Sequence, residues 1–164
     1  MIFELEPVFN NVGFSVKIDY EFILPDAGDG GVCPFTCPFA VKGSFVNNAG
    51  VVSVEATAST DLSLQCDRCA VELTRHIEVP VRHVLVTELN DDTNDELILI
   101  ESFQFDLDKL VTDDIFLWLP SKFLCSNGCK GVCPQCGQNL NESQCSCKKP
   151  VDPRLEALKQ LLDN

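Results

Sequence analysis

The sequence predicts an α+β fold, mainly antiparallel β, with one internal helix, a cysteine-rich segment and a C-terminal helix. Three observations lead there. Apolar and polar residues alternate through most of the first hundred positions, the period of half-buried strands. The period shifts to three and four only across 106–119 and again near the end of the chain. Ten cysteines are present, six of them after residue 120. The 164 residues suffice for one domain with a small appendage and a real core. A composition of 45% hydrophobic and 23% charged residues excludes wholesale disorder.

The elements follow in order. Phe14, Val16, Ile18, Tyr20, Phe22 and Leu24 share one face of a strand, with Ser15, Lys17, Asp19 and Glu21 on the other. Pro25 and the run Asp26–Gly31 end it as a loop. That glycine run is no phosphate cradle, because it lacks a lysine and a following helix and its aspartates repel anions. Phe39–Val46 and Val51–Thr60 read as a hairpin around Asn47-Asn48-Ala49-Gly50. Leu62–Cys66 alternates again and runs into Cys66-Asp67-Arg68-Cys69. In 71–87, Val71, Leu73, Ile77, Val79, Val81 and Leu85 share a face, and Pro80 asks for an edge, a bulge or a break. Asn90–Glu96 is an acidic loop, and Leu97–Ile100 and Phe103–Phe105 are short strands. Asp106–Leu119 reads as an amphipathic helix with Asp106 as N-cap, a stripe of Leu107, Leu110, Val111, Ile115 and Trp118, and Pro120 as its stop. Trp118 lies on the stripe and is expected in the core. Asp152-Pro153-Arg154 opens a last short helix with Leu155, Leu158, Leu161 and Leu162 on one face.

Charge divides the chain in the same place. Residues 1–120 carry a net −15 and residues 121–164 a net +2, within a total of −13. The expected organisation is therefore 1–120 as an acidic β-rich body that includes helix 106–119, and 121–164 as the cysteine-rich appendage with the C-terminal helix. An acidic body repels bare nucleic acid, whose affinity for proteins comes mainly from Lys and Arg. It suits a basic partner or simple solubility. The start of the chain has no basic region before an apolar run, and no stretch approaches about 18 uncharged apolar residues. The expectation is a cytoplasmic protein with reduced cysteines and no membrane association.

Reduced cysteines in clusters point to metal. Cys133-Pro134-Gln135-Cys136-Gly137 is the strongest signal: two thiolates two residues apart grip one ion from a tight turn, and Gly137 suits the left-handed conformation that closes it. Four soft thiolates in a tetrahedron favour zinc, and a closed site of this kind is structural, not catalytic. The preferred partition makes two zinc sites, Cys66 and Cys69 with Cys125 and Cys129, and Cys133 and Cys136 with Cys145 and Cys147. A rival places Cys125, Cys129, Cys133 and Cys136 around one ion, and spacing alone does not choose. Cys33 and Cys37 have no obvious partners; buried hydrophobes, free thiols, a disulfide and extra ligands all stay open for them. His76 and His83 lack finger spacing and read as surface or hydrogen-bonded strand residues. No nucleophile motif, Walker loop or dinucleotide fingerprint is present, so neither an enzyme nor a small-molecule substrate is expected.

The run Cys125-Ser-Asn-Gly-Cys129-Lys130-Gly131-Val132-Cys133-Pro134-Gln135-Cys136-Gly137-Gln138-Asn139-Leu140-Asn141, then Cys145-Ser-Cys147 and Asp152-Pro153-Arg154, resembles the YceD family. So does Cys66-Asp67-Arg68-Cys69 followed by the helix ending in Leu119-Pro120. The resemblance covers 55–164 well and the first strands loosely. It implies a bacterial or organellar protein needed for accumulation of large-subunit ribosomal RNA, acting as a non-catalytic ribosome-biogenesis factor. Some members lack the later cysteines, which marks Cys133–Cys147 as a separable site. The Cys33/Cys37 pair departs from the family pattern.

The leading expectation is thus a zinc-binding ribosome-assembly factor. Its acidic face would hold a ribosomal protein or pre-ribosomal particle, and its C-terminal segment would contact rRNA. One rival is a thiol–disulfide oxidoreductase using Cys66 and Cys69. That chemistry wants a Cys-x-x-Cys opening a helix in a βαβ unit, whereas here the pair sits between strands. The other is a zinc-ribbon nucleic-acid-binding module, against which the acidic body speaks.

Overall fold

The computed structural model describes residues 1–24, 37–88 and 97–147. The chain groups into two compact units, Met1–Leu64 with Leu73–Ser121, and Gln65–Glu72 with the chain from Lys122 onward. A single cut after residue 120 therefore misplaces Gln65–Glu72, which belongs with the cysteine-rich segment.

The first unit is built from β1 (Ile2–Glu4), α1 (Glu6–Asn10), β2 (Ser15–Phe22), β3 (Phe39–Asn48), β4 (Val51–Gln65), β5 (Glu72–Val86), β6 (Leu97–Leu99), β7 (Gln104–Asp106) and α2 (Leu107–Trp118). Strands β2-β3-β4-β5-β6 form one sheet in that order, and β1 pairs with β7. The β2–β3, β3–β4 and β1–β7 pairs are antiparallel, and β5–β6 is parallel. The fold is α+β and mostly antiparallel, with two helices among the described residues, both ahead of the cysteine-rich segment, where the sequence suggested one internal helix.

Period-two patterning explains the core. Phe39, Val41, Phe45 and Asn47 of β3 and Val52, Val54, Ala56, Ala58, Thr60 and Leu62 of β4 are buried, while Glu55, Thr57 and Asp61 between them are exposed. Phe45 stands opposite Val54 and Val16, and its ring lies 5.2 Å from Phe3 and 6.0 Å from Phe105. Each such buried side chain contributes about 1.5–3 kcal/mol of transfer free energy. At Gly43 the neighbouring strand leaves no room for a side chain. A Cβ there would fall 2.2 Å from the Glu55 carbonyl oxygen and 2.4 Å from Ala56 Cα, so only glycine fits.

Three details differ from the sequence reading. The β3–β4 turn is only Ala49-Gly50, both at positive φ (54° and 92°), so Asn47 belongs to β3. Fully buried, Asn47 donates through Nδ2 to the carbonyls of Val8 (2.7 Å) and Phe9 (3.3 Å) and accepts from Gly50 N–H (2.9 Å). It thus satisfies carbonyls at the end of α1. That helix is five residues long, too short for periodicity to register. Next, β4 runs unbroken through Leu62–Gln65, so the two predicted segments are one strand. Finally, Trp118 is 46% exposed, not core. Leu107, Val111 and Ile115 are buried, and the last turn of α2 (Phe116, Leu117, Trp118) is open. The angle of the stripe is right, but an angle does not say how far along the helix the cover extends.

On β5, Ile77, Val79, Val81 and Leu85 are buried, whereas Val71 is exposed and Leu73 half-buried, so the predicted face begins later than expected. Pro80 is exposed, and β6 meets β5 only at Val84–Val86, which leaves Pro80 on the open-edge stretch of the strand. Asp106 caps α2 by accepting from Asp108 N–H at 3.2 Å. Both histidines are hydrogen-bonded strand residues: His76 Nδ1 lies 2.7 Å from Asp61, and His83 Nε2 lies 2.8 Å from Asp114. The glycine-run loop 26–31, Cys33, the acidic loop 90–96 and the C-terminal helix all lie outside the described residues. No helix among the described residues is long and apolar enough to cross a membrane.

Candidate metal centres

The second unit brings eight cysteines together as two fours. The Sγ atoms of Cys66, Cys69, Cys125 and Cys129 lie within 4.8 Å of one another, and so do those of Cys133, Cys136, Cys145 and Cys147. The grouping matches the two-site partition, and the rival set of Cys125, Cys129, Cys133 and Cys136 is not assembled. Cys37 is half-buried and joins neither group.

Local chain chemistry places each sulfur. At the end of β4 the chain turns through Cys66–Val71, closed by Ala70 N–H to the Cys66 carbonyl (2.8 Å) and Cys66 N–H to the Val71 carbonyl (2.8 Å). Ala70 takes positive φ (57°) to make this turn. Asp67 then holds the incoming strand of chain twice: its N–H donates to the Phe123 carbonyl (2.9 Å) and its Oδ2 accepts Phe123 N–H (2.6 Å). Arg68 Nη1 donates to the Cys129 carbonyl (2.9 Å), and the Arg68 carbonyl accepts Val132 N–H (3.0 Å). Gly131, at φ +77°, keeps this approach open, since a Cβ would sit 3.0 Å from the Arg68 oxygen. In the second four, Gly137 N–H closes on the Cys133 carbonyl (2.8 Å) at φ +72°, the left-handed turn the sequence anticipates.

The spacing fits a tetrahedral ion. Four sulfurs each about 2.3 Å from a central zinc stand about 3.8 Å apart. The observed Cys66–Cys129 and Cys69–Cys125 separations are 3.8 and 3.6 Å. A disulfide would need about 2.05 Å.

The thiols are also electrostatically divided. Burial pushes Cys66 up, but backbone N–H groups of Arg68, Cys125 and Cys69 outweigh it and hold the thiol down to about 6. The Val71 N–H favours the Cys69 thiolate, yet burial and three neighbouring sulfurs push that thiol up to about 12. Cys133 is held down to about 6 by the N–H groups of Cys136 and Gln135, while the Cys136 sulfur and burial push Cys147 up to about 12. The Asn141 amide lowers Cys129. Thiolates this close repel, so the first to ionise keeps its neighbours protonated. A dication at the centre removes that restriction and lets all four act as ligands.

Sequence reasoning singled out the eight cysteines that group here as two fours but gave no role to Asp67, Arg68 or Asn141. Their signal was position alone: two lie inside a Cys-x-x-Cys, and the third ends the run that follows Cys136.

A β-rich body joined to a unit organised by two four-thiol centres is the class of protein that fold and site define. The family described as large ribosomal RNA subunit accumulation protein YceD matches residues 54–162, which include both centres. The chain belongs to the YceD family. It is 31% identical over 128 residues to the Bacillus subtilis protein YlbN, covering 76% of this chain and 74% of that one. It is 27% identical over 115 residues to Rv2926c of Mycobacterium tuberculosis, covering 68% of this chain and 56% of the relative. A shorter stretch of 44 residues is 36% identical to the chloroplastic large ribosomal RNA subunit accumulation protein YCED homolog 1 of Arabidopsis thaliana, covering 27% of this chain and 14% of that one. No solved structure matches the chain.

Proposed function

We propose that this protein is a non-catalytic, zinc-stabilised factor that supports accumulation of large-subunit ribosomal RNA in the cytoplasm. The observation that carries the reading is the family match over 54–162, whose description names that role and whose span holds both four-thiol centres. In this reading Cys66, Cys69, Cys125 and Cys129 hold one zinc, and Cys133, Cys136, Cys145 and Cys147 hold another. Four protein ligands leave no open coordination position, so the metal folds the chain and does no chemistry on a substrate. The partner is a ribosomal protein or pre-ribosomal particle, with rRNA contact from the C-terminal segment. The net charge of −13 supports a basic protein or ribonucleoprotein surface over bare nucleic acid.

Burial supports binding over redox exchange: Cys66 is 2% exposed and Cys69 6% exposed, so neither sulfur is open to attack on an external disulfide. The test is depletion of the protein with measurement of large- and small-subunit rRNA, alongside sedimentation of the tagged chain. A selective fall in large-subunit rRNA, with the chain in pre-ribosomal fractions, is expected. Unchanged rRNA and a chain that stays at the top of the gradient would refute the proposal.

A further inference from the structure

Asn141 belongs to neither four, yet it lies in the loop of one and bonds to a sulfur of the other. It sits in the loop between Cys136 and Cys145, which the second four-thiol centre closes at its two ends. Its side chain reaches back to the first centre, where Nδ2 donates to the Cys129 sulfur at 3.3 Å. The rest of the amide is satisfied too. Oδ1 accepts Lys130 N–H at 2.8 Å, and Nδ2 also donates to Asn139 Oδ1 at 2.9 Å. Asn139 Oδ1 in turn accepts the Asn141 backbone N–H at 3.0 Å. An acceptor facing an N–H and a nitrogen facing a sulfur and an oxygen leave only one orientation for the amide. The loop itself is laid against the chain between the centres: Val132 bridges to Asn139, and Leu140 N–H donates to the Gly131 carbonyl at 2.9 Å.

We infer that the two centres load cooperatively, and that Asn141 is the positioning residue that couples them through its N–H···S bond to Cys129. The inference rests on the metal reading above, not on the ribosomal one. With the second centre filled, the loop ends are pinned and Asn141 is already placed to donate to the first. With it empty, the first centre bears the cost of ordering that loop before the bond can form. Thermodynamic linkage makes the effect reciprocal, so an ion in either centre tightens the other by the same factor.

The full chain is titrated against buffered free Zn2+. Occupancy of each centre is read separately, as protection of its cysteines from alkylation mapped by mass spectrometry. Affinity at Cys66, Cys69, Cys125 and Cys129 is compared with the second centre intact and with it disabled by Cys145→Ser and Cys147→Ser. The expected ratio is about tenfold, the lower end for a partner that holds a ligand in place. In an Asn141→Ala background the ratio falls to about one, the outcome a double-mutant cycle assigns to a lost coupling. Asn141→Asp separates the donor from a merely structural role. Its carboxylate still accepts Lys130 N–H but offers the sulfur no proton, so it too abolishes the ratio. A ratio of one in the parent chain, a ratio that survives Asn141→Ala, or full rescue by Asn141→Asp would each overturn the inference. A parent chain that protects no cysteine at any Zn2+ level overturns the metal reading and this inference with it. A ribosomal role that fails on its own leaves the coupling result standing.

Discussion

Phe39, Phe45, Leu5, Ile18, Leu62, Leu107 and Ile115 fill the interior of the first unit. In the second, the buried side chains among the described residues are Cys66, Cys69, Cys129 and Cys133. One unit is held by apolar area removed from water, which acts without direction and adds up over many side chains. The described residues of the other show no comparable apolar interior. Its turns are set by short hydrogen bonds around sulfur, and in the proposed reading an ion binds the turns together. The difference teaches that two parts of a chain this small can be held by different forces, and it predicts that each can be lost without the other.

The largest expected effect breaks the comparison on the metal side. Chelation should abolish hydrogen-exchange protection at Val132, Cys133 and Leu140 while the amides of Phe45 and Val54 keep theirs. Loss of protection throughout would mean the two units fold as one. Acid should act in the same direction. If the fours hold zinc as proposed, binding would displace the protons that Cys69 and Cys147 hold up to about pH 12, and the metal-bound form would carry fewer protons. Stability of the second unit therefore rises with pH and falls as pH drops. Zinc release to a chromophoric chelator should increase steadily from pH 8 to pH 5.

Phe45→Ala attacks the other side. It should cost about 3–5 kcal/mol in urea unfolding of the body, with zinc stoichiometry unchanged. Gly43→Ala should cost about 1–3 kcal/mol, because the added methyl meets backbone at Glu55 and Ala56 and not a movable side chain. The smallest effect is at His76, whose pKa is raised, first by its hydrogen bond to Asp61 and then by Glu78. A raised histidine stabilises the fold fully below its unfolded pKa and stops doing so as pH climbs through the folded value. His76→Gln should therefore lower Tm slightly at pH 5.5 and not at pH 8.5; a difference that persisted at pH 8.5 would exclude the ion pair as its source.

Much of this was legible before any coordinates. Alternation in Phe39–Val46 and Val51–Thr60 marked the central strands, because a half-buried strand must alternate. Asp106 marked the start of α2, because a carboxylate there meets an unpaired N–H. What failed to show had no local signature. Glu6–Asn10 is shorter than the pattern that would reveal it. Asn47 looks like a turn residue and acts as a buried tie to Val8 and Phe9. Trp118 has the right helical angle but is left 46% exposed among the described residues.

By itself, then, the sequence determined the strand faces, the span and cap of α2, and the eight cysteines whose paired spacing suits a thiolate metal site. These are short-range properties, set within a turn or a pleat by dihedral preference and side-chain period. Only the tertiary structure decided that Cys66 and Cys69 meet Cys125 and Cys129, that Gln65–Glu72 leaves the body to join the cysteine-rich unit, and that Asn141 reaches the Cys129 sulfur. Those are closures between residues far apart in sequence. They depend on which long loops the whole chain can close at once, and no local spacing carries that information.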